Sequence, residues 1–160
     1  MKREDVTEVL NDPIAQELLQ SHRIARLAYD GLDGYPRAIP IGYFWSGHDI
    51  VICTPSIAPK VAALRTNPRV ALTIDTETQP PHILLVRGTA AMEIVDGIPM
   101  EYLEASRKYI APDAWEDFEV QVRALYKQMA RIVITPDWAK VLDFETRLPV
   151  AVEELIAQRV

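Results

Sequence analysis

Arg37–Val70 reads RAIPIGYFWSGHDIVICTPSIAPKVAALRTNPRV, and this stretch decides the fold. Two strand-like runs, Arg37–Trp45 and Asp49–Thr54, are joined by the turn signal Ser46-Gly47-His48-Asp49. A short helix follows: Ile57, Val61 and Leu64 recur at helical spacing, and Asn67-Pro68 stops it. Lys60 falls in the first turn of that helix, where a cation opposes the backbone dipole at a small penalty. A bound phosphate would reverse the sign, because the free N–H groups and the ammonium would share one anion.

Working outward, strand-like runs lie at Ile24–Tyr29 before this stretch and at Arg69–Asp75 and His82–Ile94 after it. Asp30-Gly31 and Asp33-Gly34 mark a hairpin. Asp12-Pro13 pairs a capping acid with proline at the first helical position, and Ile14, Leu18 and Leu19 give that helix its apolar stripe. Beyond Ile94 the period changes. Pro99–Ile110 and Ala114–Met129 read as helices, the second with Phe118, Val122, Leu125 and Met129 as a stripe for packing on a sheet. Arg131–Thr135 and Trp138–Phe144 read as two closing strands around Pro136-Asp137, and Val150–Gln158 as a short final helix. Hairpins exclude a doubly wound parallel sheet, and closure would remove exposed edges. The expectation is a mainly β chain: one antiparallel barrel over residues 1–160 with Greek-key character, peripheral helices and a helical insertion at about 98–129. Pro40 inside a strand objects to this, since proline gives no ladder hydrogen bond and belongs at an edge or bulge.

The chain has 160 residues, 49% of them apolar and 25% charged, which suits one globular domain with a substantial core. A net charge of −6 speaks against a nucleic-acid partner. No apolar run approaches the roughly 18 residues of a membrane span, and the N-terminus has no leader-like apolar core, so a cytoplasmic protein is expected. Cys53, the single cysteine, lies in an apolar run where a buried, inert thiol is the natural reading. His22, His48 and His82 are widely separated, no HExxH or CxxC occurs, and a metal site is not expected. The six glycines fall in no Rossmann or P-loop spacing, and no serine sits on a nucleophile elbow. No catalytic acid, base or nucleophile is identifiable.

What remains is Arg37, Thr54 and Lys60. Alternation puts Arg37, Ile39, Ile41 and Tyr43 on one face of their strand; Thr54 ends the next strand, and Lys60 follows six positions later. A guanidinium, a hydroxyl and an ammonium at a helix N-terminus can satisfy a phosphate dianion. Spacing alone leaves a second reading open, with two surface charges and a turn residue.

The strand RAIPI at Arg37–Ile41, Thr54 with Lys60 six positions on, LRTNPRVALTID at Leu64–Asp75 and VRGTA at Val86–Ala90 are similar to one known pattern. Arg23–Ala91 resembles the pyridoxamine 5′-phosphate oxidase-like, FMN-binding split-barrel superfamily. The resemblance implies a split barrel, a homodimer with flavin at the subunit interface, and a small-molecule substrate. It implies that Arg37 and Lys60 bind the phosphate with help from Thr54, and that Ile39, Pro40 and Ile41 lie along the flavin. Pro40 would then face a cofactor rather than a strand. Tyr43 and Trp45 are candidates to cover the ring, or else core or interface aromatics. FMN is the first cofactor implied; related split barrels use the deazaflavin coenzyme F420, for whose anionic tail Arg65 and Arg69 are candidates, and some bind haem. A non-catalytic flavin- or haem-binding module is the remaining alternative. Departures are informative: the oxidase proper carries lysine at Gly42, arginine at Pro59 and glutamine near Ile83. Their absence argues against pyridoxamine phosphate as substrate.

Overall fold

The computed structural model describes residues 1–159. Helices α1 (Arg3–Leu10) and α2 (Pro13–Gln20) precede strands β1 (Ala25–Asp30), β2 (Pro36–Ile41), β3 (Phe44–Trp45) and β4 (Ile50–Pro55). Helix α3 (Pro59–Thr66) leads into β5 (Arg69–Asp75) and β6 (Ile83–Asp96). Helix α4 (Met100–Ser106), a 3-10 turn (Pro112–Ala114) and α5 (Trp115–Leu125) come before the last strand, β7 (Gln128–Leu142), and the final helix, α6 (Val150–Ala157).

The strands form one seven-stranded sheet in the order β2-β1-β5-β6-β7-β4-β3, and the paired strands run antiparallel. The fold is therefore the strand-rich split barrel expected, with β2 and β3 ending the order on either side of the split. Alternation supplies the inner face. Leu27, Ile50, Ile52, Leu72, Ile74, Leu84, Ile132 and Ile134 are almost fully buried there, and Leu18 and Leu19 of α2 and Leu64 of α3 join them. Pro40 meets the edge rule for proline, since β2 pairs with β1 and ends the sheet order.

Helix α2 starts as its sequence dictates: Asp12 Oδ1 accepts from Ile14 N at 2.9 Å and Pro13 opens the first turn. Its end of the barrel is tied to the C-terminus. Arg147 donates to Asp12 Oδ2, at 2.6 Å, and to Asp143 Oδ2, at 3.1 Å. Asp143 also accepts from Thr146 Oγ1 and from three main-chain N–H groups. The Thr146 hydroxyl, followed by the Glu145 N–H, holds its carboxyl far below the usual carboxylate range.

Four sequence expectations need correction. The run Arg37–Trp45 is two strands, because the chain bends at Gly42-Tyr43 to bury Tyr43, whose hydroxyl donates to Leu18 O and Leu19 O. The two closing strands are one, since β7 runs past Pro136 through a register shift opposite Arg87 and Gly88. Gly88 makes this possible: a Cβ there would lie 2.6 Å from Thr135 O. Helix α5 stops at Leu125, and Met129 is a fully buried residue of β7. Its stripe does not pack on the sheet as a unit either. Phe118 stacks on Tyr102 of α4, with centroids 6.4 Å apart, and Trp115 joins it at 5.4 Å, while Leu125 is 69% exposed. Helix α1 was not foreseen, because only Val6 and Leu10 of its residues are buried, too sparse a stripe to recognise.

Candidate functional site

Strand β4 carries Ile50, Ile52 and Thr54 toward the interior, so the hydroxyl of Thr54 is buried at the strand's end. Turn residues Ser56 and Ile57 lead into α3, which has Ala58 at its N-cap, no side-chain cap, and Pro59 in its first turn. Lys60 reaches back from that turn, and its Nζ donates to Thr54 Oγ1 at 3.3 Å. This ammonium is half-buried and, among the described residues, has no carboxylate partner; burial alone pushes its pKa down. A lysine so placed pays for desolvation without a counter-charge, and an anion at this corner would supply one. The uncapped helix end points the same way. The structure thus brings together two of the three side chains expected to bind a phosphate.

Arg37 is placed differently. Opposite Tyr29 on β1, it shares the inner face with Ile39 and Ile41, whose partners are the buried Leu27 and Ala25. Its guanidinium turns back across the hairpin, donating to Asp33 Oδ2 at 2.7 Å and to Tyr35 O at 3.0 Å. The hydrogen bond from Arg37 in turn lowers the Asp33 pKa. Arg37 is therefore engaged in the β1–β2 turn rather than joined to Lys60. The trio Ile39, Pro40 and Ile41 also divides. Pro40, opposite Arg26, faces outward and the two isoleucines inward, so one ligand can follow all three only along the main chain. Tyr43 is a core residue, and Arg69 spends its side chain on Asn67 Oδ1.

Sequence reasoning missed the contribution of α4. Arg131 of β7 pairs with Glu101 through Nε, at 2.8 Å, and Nη2, at 2.6 Å, and so clamps α4 over β4. Beyond the helix, Lys108 Nζ donates to Tyr43 O at 3.3 Å and lies 4.2 Å from the centre of the Tyr43 ring. Tyr109 Oη donates to Arg23 O at 3.2 Å, and its ring stands 3.1 Å from where a Cβ of Gly42 would be. A cavity of about 330 Å³ lies beneath, between Pro40, Ile41 and Gly42 on one side of the split and Cys53 on the other. Tyr102, Ala105, Ser106 and Tyr109 roof it. Gly42 was the available signal, since a side chain there would crowd Tyr109. Cys53 is half-buried where a buried thiol was expected, and burial pushes its thiol up to about 12, which favours the protonated form.

Residues 12–142 match the family model described as pyridoxamine 5′-phosphate oxidase. No curated protein matches the chain in sequence. Among solved structures, an F420 reductase superposes with a TM-score of 0.61 at 24% identity, over 78% of this chain and 94% of that one. A conserved hypothetical protein from Mycobacterium tuberculosis gives 0.59 at 19% identity, over 93% and 89%. The haem storage protein HutZ from Vibrio cholerae gives 0.58 at 15% identity, over 81% and 93%. These likenesses establish the fold.

Proposed function

The chain belongs to the pyridoxamine 5′-phosphate oxidase family, and from that membership we propose a flavin-dependent oxidoreductase that works as a cytoplasmic homodimer with FMN as cofactor and a small molecule as substrate. One observation carries the cofactor reading: the half-buried ammonium of Lys60, bonded to Thr54 and without another partner among the described residues, at an uncapped helix start. These residues fit a phosphate monoester. Lys60 and Thr54 would hold it, with the Lys60 N–H as a further donor, and Ile39, Pro40 and Ile41 would offer main-chain groups to the ring edge. Arg37 takes part if its guanidinium leaves Asp33 for the phosphate, which exchanges one charge-assisted bond for another. A bound flavin supplies the two-electron redox chemistry; the protein positions the ring and sets its electrostatic surroundings.

Two features support a dimer. Ile57, 92% exposed beside the Lys60 corner, and the exposed Leu125 flank an open cavity of about 620 Å³ whose lining also includes Asp96, Lys127 and Gln128, a mixed apolar and polar surface that a second copy would cover. The coenzyme F420 is the second reading, favoured by the likeness to an F420 reductase. A non-catalytic flavin- or haem-binding module is the remaining reading, its haem side supported by the likeness to HutZ.

Titration of the purified protein with FMN, F420 and haemin in parallel, read by ligand fluorescence or absorbance, tests the choice. Saturable quenching by FMN is expected at one flavin per chain. Saturation by F420 alone, or a Soret shift with haemin alone, would replace the proposal by the corresponding alternative.

A further inference from the structure

The cavity under α4 has a lining without charge. Ile24, Pro40, Ile41, Gly42 and Ala105 contribute apolar surface, and Cys53, Tyr102, Ser106 and Tyr109 are neutral polar groups. Burial is the main cause that raises the thiol and both phenols, so all stay protonated through the neutral pH range. The charges nearby are already engaged: Glu101 with Arg131, and Lys108 with the Tyr43 carbonyl. Two hydroxyls are committed to main chain as well, Ser106 Oγ donating to Tyr102 O at 2.7 Å and Tyr109 Oη to Arg23 O. Tyr102 Oη makes no such main-chain bond among the described residues. Its ring is fixed by Phe118 and by Tyr126, whose centroid is 6.2 Å away.

We propose that this cavity is a binding site for an uncharged, flat, mainly apolar molecule that accepts one hydrogen bond from Tyr102, and that it excludes anionic compounds. The volume lies at the lower end of the roughly 300–1,000 Å³ of small-molecule pockets, which limits the ligand to about one or two fused rings. Two facing walls, the β2 edge and a roof tied down by Glu101–Arg131 and Tyr109–Arg23, favour a flat ligand. Exclusion follows from the cost of burying an unpaired charge, since no cation is among the described residues that line the space. Its assignment as the substrate pocket rests on the flavin reading; its occupancy does not.

Isothermal titration calorimetry with 2-naphthol and naphthalene-2-sulfonate compares one ring system with and without a charge. Saturable 1:1 binding of 2-naphthol is expected at pH 7, with the sulfonate at least tenfold weaker. Ala105→Trp, filling the cavity, should abolish 2-naphthol binding, and Tyr102→Phe should weaken it severalfold while leaving FMN affinity unchanged. Equal affinity for both compounds, or no binding of 2-naphthol to the native protein, overturns the proposal. Unchanged 2-naphthol binding in a folded Ala105→Trp variant does so too; if that variant is unfolded, an unchanged Tyr102→Phe affinity decides against it. Binding of 2-naphthol as described without any FMN binding would sink the cofactor reading and uphold this site.

Discussion

The proposed phosphate site rests first on Lys60. Burial favours its neutral form, and an anion at the corner favours the charged one. In the free protein the unfolded chain therefore binds more protons than the folded one between the lowered pKa and the ordinary value of 10.5, and the fold gains stability as pH rises through that window. Affinity for a phosphate ligand runs the other way. It falls as pH rises through the lowered pKa, because the ammonium is lost. Titrating FMN binding against pH in native protein and Lys60→Arg checks this: the native affinity should drop toward high pH well before that of the arginine variant. Superimposable profiles would remove Lys60 from the site. The lysine and Thr54 were legible because strand end, turn and helix start are local, and local spacing carries them together. Arg37 was legible in its face but not in its engagement. Its partner Asp33 lies in the same hairpin, and nothing in a strand pattern tells whether a long side chain reaches inward or folds back.

At the scale of elements, the hairpins and α3 follow from turn residues and short-range periodicity, which is why β1, β4, β5 and the start of α2 fall where expected. The continuous β7 does not. Pro136 reads as a terminator, yet the strand passes it because Gly88 on β6 lets the backbone of Thr135 approach where any side chain would collide. Gly88→Ala should therefore destabilise the protein by about 1–3 kcal/mol, the usual range for overpacking, read as a lowered thermal midpoint. An unchanged midpoint would mean the register shift is not held by this contact. Phe118 misled for a different reason: an apolar stripe says that a helix face is covered, not by what. The cover is Tyr102 and Trp115, within the insertion itself. The clamp of Glu101 on Arg131 was invisible in sequence, as the two residues are 30 positions apart.

For the whole molecule, the proposed dimer would cover Ile57 and Leu125, both largely exposed in the single chain. A solvent-exposed isoleucine beside the proposed anion corner suits a subunit boundary that would also shut water away from a ligand there. Light scattering should give twice the 18.1 kDa chain mass, and Ile57→Glu should shift the population to monomer and weaken FMN binding in step. A native monomer that binds FMN at full affinity would separate flavin binding from dimerisation.

Whether Lys60 and Thr54 hold a phosphate is tested by comparing FMN with riboflavin, which differ only in that phosphate. Fluorescence-quenching titrations should show FMN bound at least tenfold more tightly by the native protein. Lys60→Ala should weaken FMN by about 1–3 kcal/mol, the worth of a charge-assisted hydrogen bond, and leave riboflavin unchanged. Equal affinities of the native protein for FMN and riboflavin would mean that no phosphate is held by Lys60 and Thr54.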